Sequence, residues 1–304
     1  MKNLALTNTL GLVRSLLALS LLSTLIFNPS SVFFIESTFE GMQKTGFILD
    51  RLNFFFLAGY ENAFLMQWLA IIILSAVVAG WRPRITGVLH WWVAYSFMTA
   101  SIIVEGGDQV VSVLSFLLIP VTLLDKRRNH WSAEAQTLSK SESAVAGVFY
   151  FLTKLQVAIV YLEAGIGKLY STQEWREGTA LYYWINDNFF GRNDAVVSVS
   201  NYLLTDPVFA SVLTYGVIGF EIMLFGMLFS NSVRFRRTMF LLGLGFHFMI
   251  VIYFGLISFF MSMAGALCLY LLEPGKRLDQ NFDFLLRRFE KNYAGVEKES
   301  VIIP

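Results

Sequence analysis

The chain has 304 residues, of which 56% are hydrophobic, 16% are aromatic and only 15% are charged. Its apolar residues occur in long uninterrupted runs, a composition typical of a polytopic membrane protein and not of a soluble globular domain. The formal net charge of +1 gives no electrostatic reason to expect a nucleic-acid partner. Cys268 is the only cysteine, which excludes an intrachain disulfide and a cysteine-based metal cluster.

Apolar runs predict six membrane-spanning helices before residue 231. A helix needs about 20 apolar residues to cross the hydrocarbon core of a bilayer. The runs that qualify are residues 10–28, 63–81, 86–104, 109–124, 144–170 and 207–230. The first run is long and lacks a clear cleavage site, so we interpret it as a retained helix and not as a signal peptide.

The last apolar stretch, residues 238–272, is too long for one span of ordinary tilt. Gly255 lies near its middle and is a suitable point for the chain to reverse direction. We therefore interpret this stretch as two shorter helices. The predicted fold is all-α, a polytopic transmembrane helix bundle of about eight spans in the cell membrane.

Basic residues predict the orientation of this bundle. Lysine and arginine collect in cytoplasmic loops. Alternate loops and the C-terminal tail contain most of them, namely Lys2, Arg82, Arg84, Lys126, Arg127, Arg128, Lys140, Arg234, Arg236, Arg237, Lys276, Arg277, Arg287, Arg288, Lys291 and Lys298. Both termini are therefore predicted to be cytoplasmic, with the segment around Lys168 on the outside.

Two parts of the chain are predicted. Residues 1–272 form the transmembrane domain, and residues 273–304 form a basic cytoplasmic tail. In the tail, Phe282, Leu285, Leu286 and Phe289 fall on one helical face beside basic residues. An amphipathic helix lying on the membrane surface and a flexible basic tail are the two alternatives for this segment.

Polar side chains within the predicted spans identify candidate functional positions. They are Arg14, Lys154, Gln156, Glu163, Glu221 and His247. An unpaired charge in the bilayer costs several kcal/mol, so these groups are expected to face the bundle interior and to pair. Counted from the helix ends, Arg14 and Glu221 fall toward the cytoplasmic side, which predicts a buried pair. Lys154 and His247 fall near the middle of the bilayer.

The fifth predicted helix has two polar faces. Lys154, Tyr161 and Lys168 are spaced by seven residues and share one face, and Glu163 marks a second face. A lysine in apolar surroundings can act as a general base near neutral pH, because desolvation disfavours its ammonium form. The alternative is a lysine that only extends to the membrane interface. Trp175, likewise, is either a site residue or an interfacial aromatic residue.

The histidines are expected to differ in role. His247 lies within an apolar span, where a histidine serves as a packing element, a proton relay or a metal ligand. No paired ligand spacing accompanies it, so no metal site is predicted. His90, beside two tryptophans, is typical of an interfacial aromatic belt, and His130 is predicted to be a solvated loop residue.

Three segments resemble motifs of a known membrane family. They are Ala164-Gly165-x-x-Lys168-Leu169 followed by Trp175-x-x-Gly178, Phe246-His247 followed by Gly255 and Phe259, and Asn8 to Arg14 with Leu17-Ala18-Leu19. The first two resemble the vitamin K-dependent γ-carboxylases and the related HTTM (horizontally transferred transmembrane) proteins. The third resembles the bacterial sporulation-delaying protein B branch, whose members are encoded with peptide toxins and needed for their maturation.

The resemblance implies roles for several residues. Lys168 matches the family base that deprotonates vitamin K hydroquinone, and His247 matches a pocket histidine. Lys168, Glu163 and His247 are thus expected in an outer-leaflet pocket, with Tyr161, Gly165 and Trp175 as cofactor-binding candidates. Two departures stand out: the chain ends soon after its last span, whereas the carboxylases continue into a large lumenal domain, and residues 105–108 read Glu-Gly-Gly-Asp where they have an Asn-His motif.

The predicted function is therefore to assist the maturation, modification or export of a secreted antimicrobial peptide at the outer face of the membrane. An active peptide carboxylase that uses vitamin K hydroquinone or another quinol is the alternative, and a small transporter is a third, less supported one. The expected partners are membrane lipids, the secreted peptide and a small helper protein, with no nucleic acid. The cofactor, if one is used, is not identified by the sequence.

Overall fold

The computed structural model describes residues 4–44, 47–187 and 193–283, which are almost entirely helical. The first half contains β1 (Ala5–Leu6), α1 (Asn8–Phe27), α2 (Ser30–Phe33), α3 (Glu36–Lys44), α4 (Ile48–Arg51), α5 (Ala63–Val78), α6 (Pro83–Ala100) and α7 (Gly106–Leu124). The second half contains β2 (Gln136–Thr137), α8 (Lys140–Tyr170), α9 (Gln173–Glu177), α10 (Ala180–Asn186), α11 (Asp194–Leu204), α12 (Pro207–Gly226), α13 (Val233–Phe254), α14 (Ile257–Leu271) and α15 (Leu278–Asn281). Short 3₁₀ turns cover Phe54–Phe56, Tyr60–Asn62 and Met227–Phe229.

Within the described ranges, six helical segments are long and apolar enough to cross a membrane. They are Asn8–Phe27, Tyr60–Val78, Gly106–Leu124, Lys140–Tyr170, Pro207–Phe229 and Val233–Phe254. Each overlaps a predicted span. Two further helices, α6 with 18 residues and α14 with 15, lie at the two other positions where spans are predicted.

The break predicted at Gly255 is confirmed. Gly255 ends α13 in the left-handed conformation, with φ of +71°, and its N–H donates to the carbonyl of Val251. Glycine adopts this conformation without the Cβ penalty that other residues incur, and it therefore commonly terminates helices. Helix α14 begins two residues later and runs back along α13.

Helix α1 lies at the centre of the bundle, where it packs against α5, α7 and α14. Its buried side chains include Leu10, Leu17, Leu21 and Leu25, none of which is more than 1% exposed. Helices α1 and α14 approach closely because Gly265 has no side chain: a Cβ there would lie 3.0 Å from Leu17. Dispersion contacts at this density supply much of the attraction between helices in a membrane.

The beginning and end of the bundle meet at one end, which we call the basic end. There the Thr7 hydroxyl donates to the carbonyl of Lys276 over 2.8 Å, and β1 pairs antiparallel with β2. At the opposite end, which we call the cavity end, α8 finishes and the short helices α9 to α11 follow. The tail helix predicted from residues 282–289 lies outside the described residues from position 284 onward.

A buried polar cluster fixes the basic end. Arg14, only 2% exposed, donates to the Nδ1 atom of His130 over 3.0 Å and to the hydroxyl of Thr86 over 2.8 Å. His130 is fully buried, so its prediction as a solvated residue is wrong. Burial, followed by the charges of Arg14 and Arg127, lowers the pKa of His130 to about 3. The loop after α7 folds inward because the neutral imidazole accepts the Arg14 hydrogen bond.

Two further depth predictions are corrected. His90 is 2% exposed on α6 and belongs to the interior, not to an interfacial belt. Lys154 lines a small cavity with Ser230 and Arg236, where α12 connects to α13, so it lies toward the basic end of the bundle and not at its middle. The count from the helix start failed because α8 has 31 residues and is much longer than one bilayer crossing requires.

Candidate functional site

A large cavity opens at the cavity end of the bundle. Its volume is about 1680 Å³, and helices α7, α8, α12, α13 and α14 all contribute to its wall. Most of the wall is apolar, and a few polar side chains project into it. A concave apolar pocket with a few convergent polar groups is the usual form of a binding site, although this one exceeds the common range of about 300–1,000 Å³.

Lys168 and Glu221 form an ion pair in the wall of this cavity. The Lys168 Nζ atom lies 2.7 Å from each carboxylate oxygen of Glu221 and donates a third hydrogen bond of 3.0 Å to the carbonyl of Ala164. The exposed fraction of the side chain is 20% for Lys168 and 7% for Glu221. The pair is thus shielded from bulk solvent, and its attraction exceeds that of a solvent-exposed pair.

The pairing predicted for Arg14 and Glu221 is wrong. Arg14 binds His130 and Thr86 at the basic end, and Glu221 binds Lys168. The reason lies in the short helices after α8. Trp175 of α9 packs with Ile218 of α12, so α9 and α10 lie along the first half of α12, and α8 ends before it reaches the level at which α12 begins. Lys168 therefore lies level with Glu221, about 21 Å along α12 from its start at 1.5 Å per residue.

Close packing of α8 against α12 brings the two charges together. Gly165 faces α12, and a Cβ on it would lie 2.9 Å from Ile222 and 3.4 Å from the Cβ of Glu221. Only glycine allows this approach. Gly165, predicted as a cofactor-binding candidate, thus contacts a neighbouring helix and is not part of the cavity wall.

Aromatic residues complete the surroundings of Lys168. The ring of Trp175 lies with its centroid 5.2 Å from the Lys168 Nζ atom, within the range of a cation–π interaction. Trp175 is 5% exposed and lines the cavity, so it is a wall residue. It also contacts Trp184 of α10, with ring centroids 6.0 Å apart.

Tyr161 and His247 form a second polar pair in the same cavity. The Tyr161 hydroxyl and the His247 Nε2 atom are 2.9 Å apart, and both side chains are at most 3% exposed. Tyr161 lies two helical turns before Lys168 on the same face of α8, as the spacing of seven predicts. The Nδ1 atom of His247 is buried and has no hydrogen-bond partner among the described residues.

Glu163, expected beside Lys168 and His247 in an outer-leaflet pocket, lies elsewhere. It is exposed on the outer surface of α8 and does not line the cavity. At 100° per residue, five positions separate it from Lys168 by about 140° around the helix, so the two side chains cannot share a pocket wall. The acid that contacts Lys168 is Glu221. The sequence predicts that Glu221 is a buried charge, but it predicts Arg14 as the partner.

Two acids at the start of α7 line the opposite part of the cavity. Glu105 and Asp108 form a reciprocal cap in which the N–H of Glu105 donates to Asp108 over 3.0 Å. Each also has one carboxylate oxygen without a hydrogen-bond partner in the described part of the chain. Burial raises the pKa of the Glu105 carboxyl group. No cluster of three or more histidine, cysteine or acidic side chains suited to a metal ion is found among the described residues.

Comparison with known proteins identifies the family. Sporulation-delaying protein SdpB of Bacillus subtilis (strain 168) is 37% identical over 302 residues, which cover 97% of this chain and 92% of that protein. The chain belongs to the SdpB family. The uncharacterized protein YitO of the same strain is 38% identical over 273 residues, which cover 87% of this chain and 85% of YitO. The predicted SdpB branch is confirmed, and the wider relation to γ-carboxylases and HTTM proteins stays a prediction.

No family model and no solved structure matches the chain. Membership of the SdpB family, together with six apolar helices of spanning length, identifies a helical membrane protein.

Proposed function

We propose that this protein assists the maturation, modification or export of a secreted antimicrobial peptide, and that the peptide binds in the large cavity. The observation that carries the proposal is the Lys168–Glu221 ion pair in the wall of an apolar cavity, in a relative of a protein named for delaying sporulation. Buried charges in a membrane protein are costly and are commonly retained for function.

The dimensions of the cavity fit a peptide segment. Its volume of about 1680 Å³ exceeds that of common small-molecule pockets, and its wall accepts apolar side chains. A peptide backbone also brings N–H and C=O groups, which need partners when they leave water. The Glu221 carboxylate can accept a further hydrogen bond from such an N–H group, and Lys168 can donate to a C=O group in exchange for one of its present contacts.

We infer that eight helices, α1, α5, α6, α7, α8, α12, α13 and α14, cross the membrane, with the basic end in the cytoplasm. Two observations support this topology. Alternate connections carry most of the lysines and arginines, and the chain leaves the bundle at the end where it enters. The cavity then lies toward the outer face of the membrane, where a secreted peptide is accessible.

Cysteine labelling tests this topology. Cys268 is buried, so a Cys268→Ala background carries no reactive thiol in the described bundle. In intact cells, Ser198→Cys on α11 is expected to react with a membrane-impermeant maleimide. Ala135→Cys, at the basic end, is expected to react only after the membrane is permeabilised. The reverse pattern would contradict the proposed orientation.

Peptide analysis tests the proposed function. In cells that lack this protein, at least one secreted antimicrobial peptide is expected to be absent from the medium or to retain its precursor mass. Reintroducing the parental chain should restore the mature mass, which mass spectrometry of the medium measures. Lys168→Arg should not restore it, because a guanidinium group does not reproduce the contacts of an ammonium group at this site. Identical secreted peptides with and without the protein would overturn the proposal.

Quinol-dependent peptide carboxylation is a second candidate, because Lys168, Tyr161 and His247 line one cavity. The residues fit this chemistry only in part. A quinol bound there would supply the reducing equivalents and would lie beside the Tyr161–His247 pair. Lys168, however, donates to both oxygens of Glu221 and must give up its proton before it can serve as a base. Mature peptide whose glutamates have each gained the mass of carbon dioxide, as expected when a carboxyl group replaces a hydrogen, would favour this candidate.

A further inference from the structure

A second cavity, separate from the large one, lies at the basic end. Its volume is about 300 Å³, and its wall includes Lys154, Ser230, Asn231, Arg236, Arg237 and Glu273. It lies where the short turn after α12 leads into α13 and where α14 ends. None of these residues lines the large cavity or takes part in the proposed function.

The charges of this basic cavity are not balanced. The Arg237 guanidinium pairs with Asp283 over 2.8 Å, and the Glu273 carboxylate pairs with Lys276 over 2.7 Å. Lys154 has no hydrogen bond or ion pair with any described residue. Glu273 in the same wall attracts both Lys154 and Arg236, but its carboxylate is paired with Lys276, and no described carboxylate lies within ion-pair distance of Lys154.

Arg236 increases this imbalance. Its guanidinium group donates to the carbonyls of Met227 over 3.0 Å and Leu271 over 3.3 Å, and also to that of Tyr270. These carbonyls hold the guanidinium group rigidly and accept from most of its N–H groups, but they are neutral and do not compensate its positive charge. Two like charges in one cavity repel each other unless an anion lies between or beside them. The Ser230 and Asn231 side chains in the same wall offer further hydrogen-bond donors.

We propose that the basic cavity binds a phosphate group, with Lys154 and Arg236 as its cationic partners. The cavity volume accommodates a phosphate and part of a headgroup, and basic pockets between transmembrane helices are suited to anionic lipids. The same chemistry would accept inorganic phosphate from the cytoplasm. A lysine that extends to the bulk interface would not need a cavity with a second, rigidly held cation.

Thermal unfolding of the full chain in dodecyl maltoside tests the proposal with four additives. These are phosphatidylglycerol, phosphatidylcholine, inorganic phosphate, and sodium chloride at the same ionic strength. Phosphatidylglycerol or inorganic phosphate is expected to raise the melting temperature of the parent, because a ligand that binds only the folded state stabilises it. The additive that acts identifies the source of the phosphate. If neither acts beyond phosphatidylcholine and sodium chloride, the proposal is wrong.

A charge-neutral variant and a matched control give the second test. Lys154→Gln is expected to weaken the apparent Kd of the active additive about fivefold, which corresponds to one lost charge contact. Lys154→Arg should retain most of the binding. Lys140→Gln removes one exposed charge from the same helix and should bind like the parent. Equal weakening by Lys154→Gln and Lys140→Gln would overturn the proposal. Phosphatidylglycerol retained by the purified parent, detected by native mass spectrometry, provides a readout that requires no variant.

Discussion

Removing one member of the Lys168–Glu221 ion pair is expected to lower the free energy of unfolding by about 3–5 kcal/mol, because the other charge is left buried without its partner. Either Lys168→Met or Glu221→Leu should have this effect. The double variant should be much less destabilised than the sum of the two single variants. Replacing a whole buried pair by apolar side chains of similar volume is often nearly neutral.

A double-mutant cycle measures this coupling by thermal or denaturant unfolding of the purified protein. The pair Lys44–Glu40 is a suitable control, since its atoms are 3.4 Å apart and its side chains are 77% and 58% exposed. Exposed pairs of this kind contribute about 0.2–1 kcal/mol. If the two cycles give the same coupling energy, the shielded ion pair inferred for the cavity wall is not present in the protein.

Arg14→Met is expected to be the second strongly destabilising change, with a loss of about 2–6 kcal/mol. It removes two hydrogen-bond donors and leaves His130 and Thr86 each short of a partner in the interior, at about 1–3 kcal/mol for each group. Arg84→Met is the matched control, because Arg84 is exposed at the same end of the bundle. Melting temperatures of the two variants at equal expression give the comparison. Equal melting temperatures would mean that the Arg14 cluster does not hold the basic end together.

The same cluster predicts a pH dependence of stability. The folded state keeps His130 neutral because its pKa is lowered to about 3, whereas an unfolded histidine titrates near 6.5. The unfolded chain therefore binds a proton that the folded chain does not bind between these values. The contribution of His130 to stability is complete above about pH 6.5 and declines as the pH falls toward 3. Unfolding of the parent and of a His130→Gln variant over this range should show a weaker slope in the variant.

The sequence predicted those features of the fold that depend on local pattern. Apolar runs located the helices, and Gly255 marked the boundary between α13 and α14 because a left-handed residue is required there. Spacing along one helix placed Tyr161 and Lys168 on the same wall. The composition of short motifs also pointed to Trp175 and His247, which line that cavity.

Partners between helices could not be predicted in the same way. The sequence pairs Glu221 with Arg14 only if depth is counted from helix ends as if every helix began and ended at the membrane surface. Helices α9 to α11 lie along α12, so the depth of residues in α8 cannot be obtained by counting from the end of that helix. The burial of His130 could not be predicted for a related reason: no local sequence pattern indicates that a loop folds back into the bundle to accept a hydrogen bond from Arg14. Both errors concern relative depth, which depends on tertiary packing.

Site-specific photo-crosslinking shows whether a secreted peptide enters the large cavity. Phe246 and Phe248 lie two residues apart on α13, so their side chains point in opposite directions. Phe246 lines the cavity, whereas Phe248 is 50% exposed on the outer surface of the bundle. A photoreactive phenylalanine analogue at either position changes the protein by a similar amount.

Each variant is irradiated in cells that produce the peptide whose maturation depends on this protein, and crosslinked products are identified by mass spectrometry. A peptide adduct is expected at position 246 and none at position 248. An adduct at position 248 alone, or equal adducts at both positions, would contradict the cavity as the site of peptide binding.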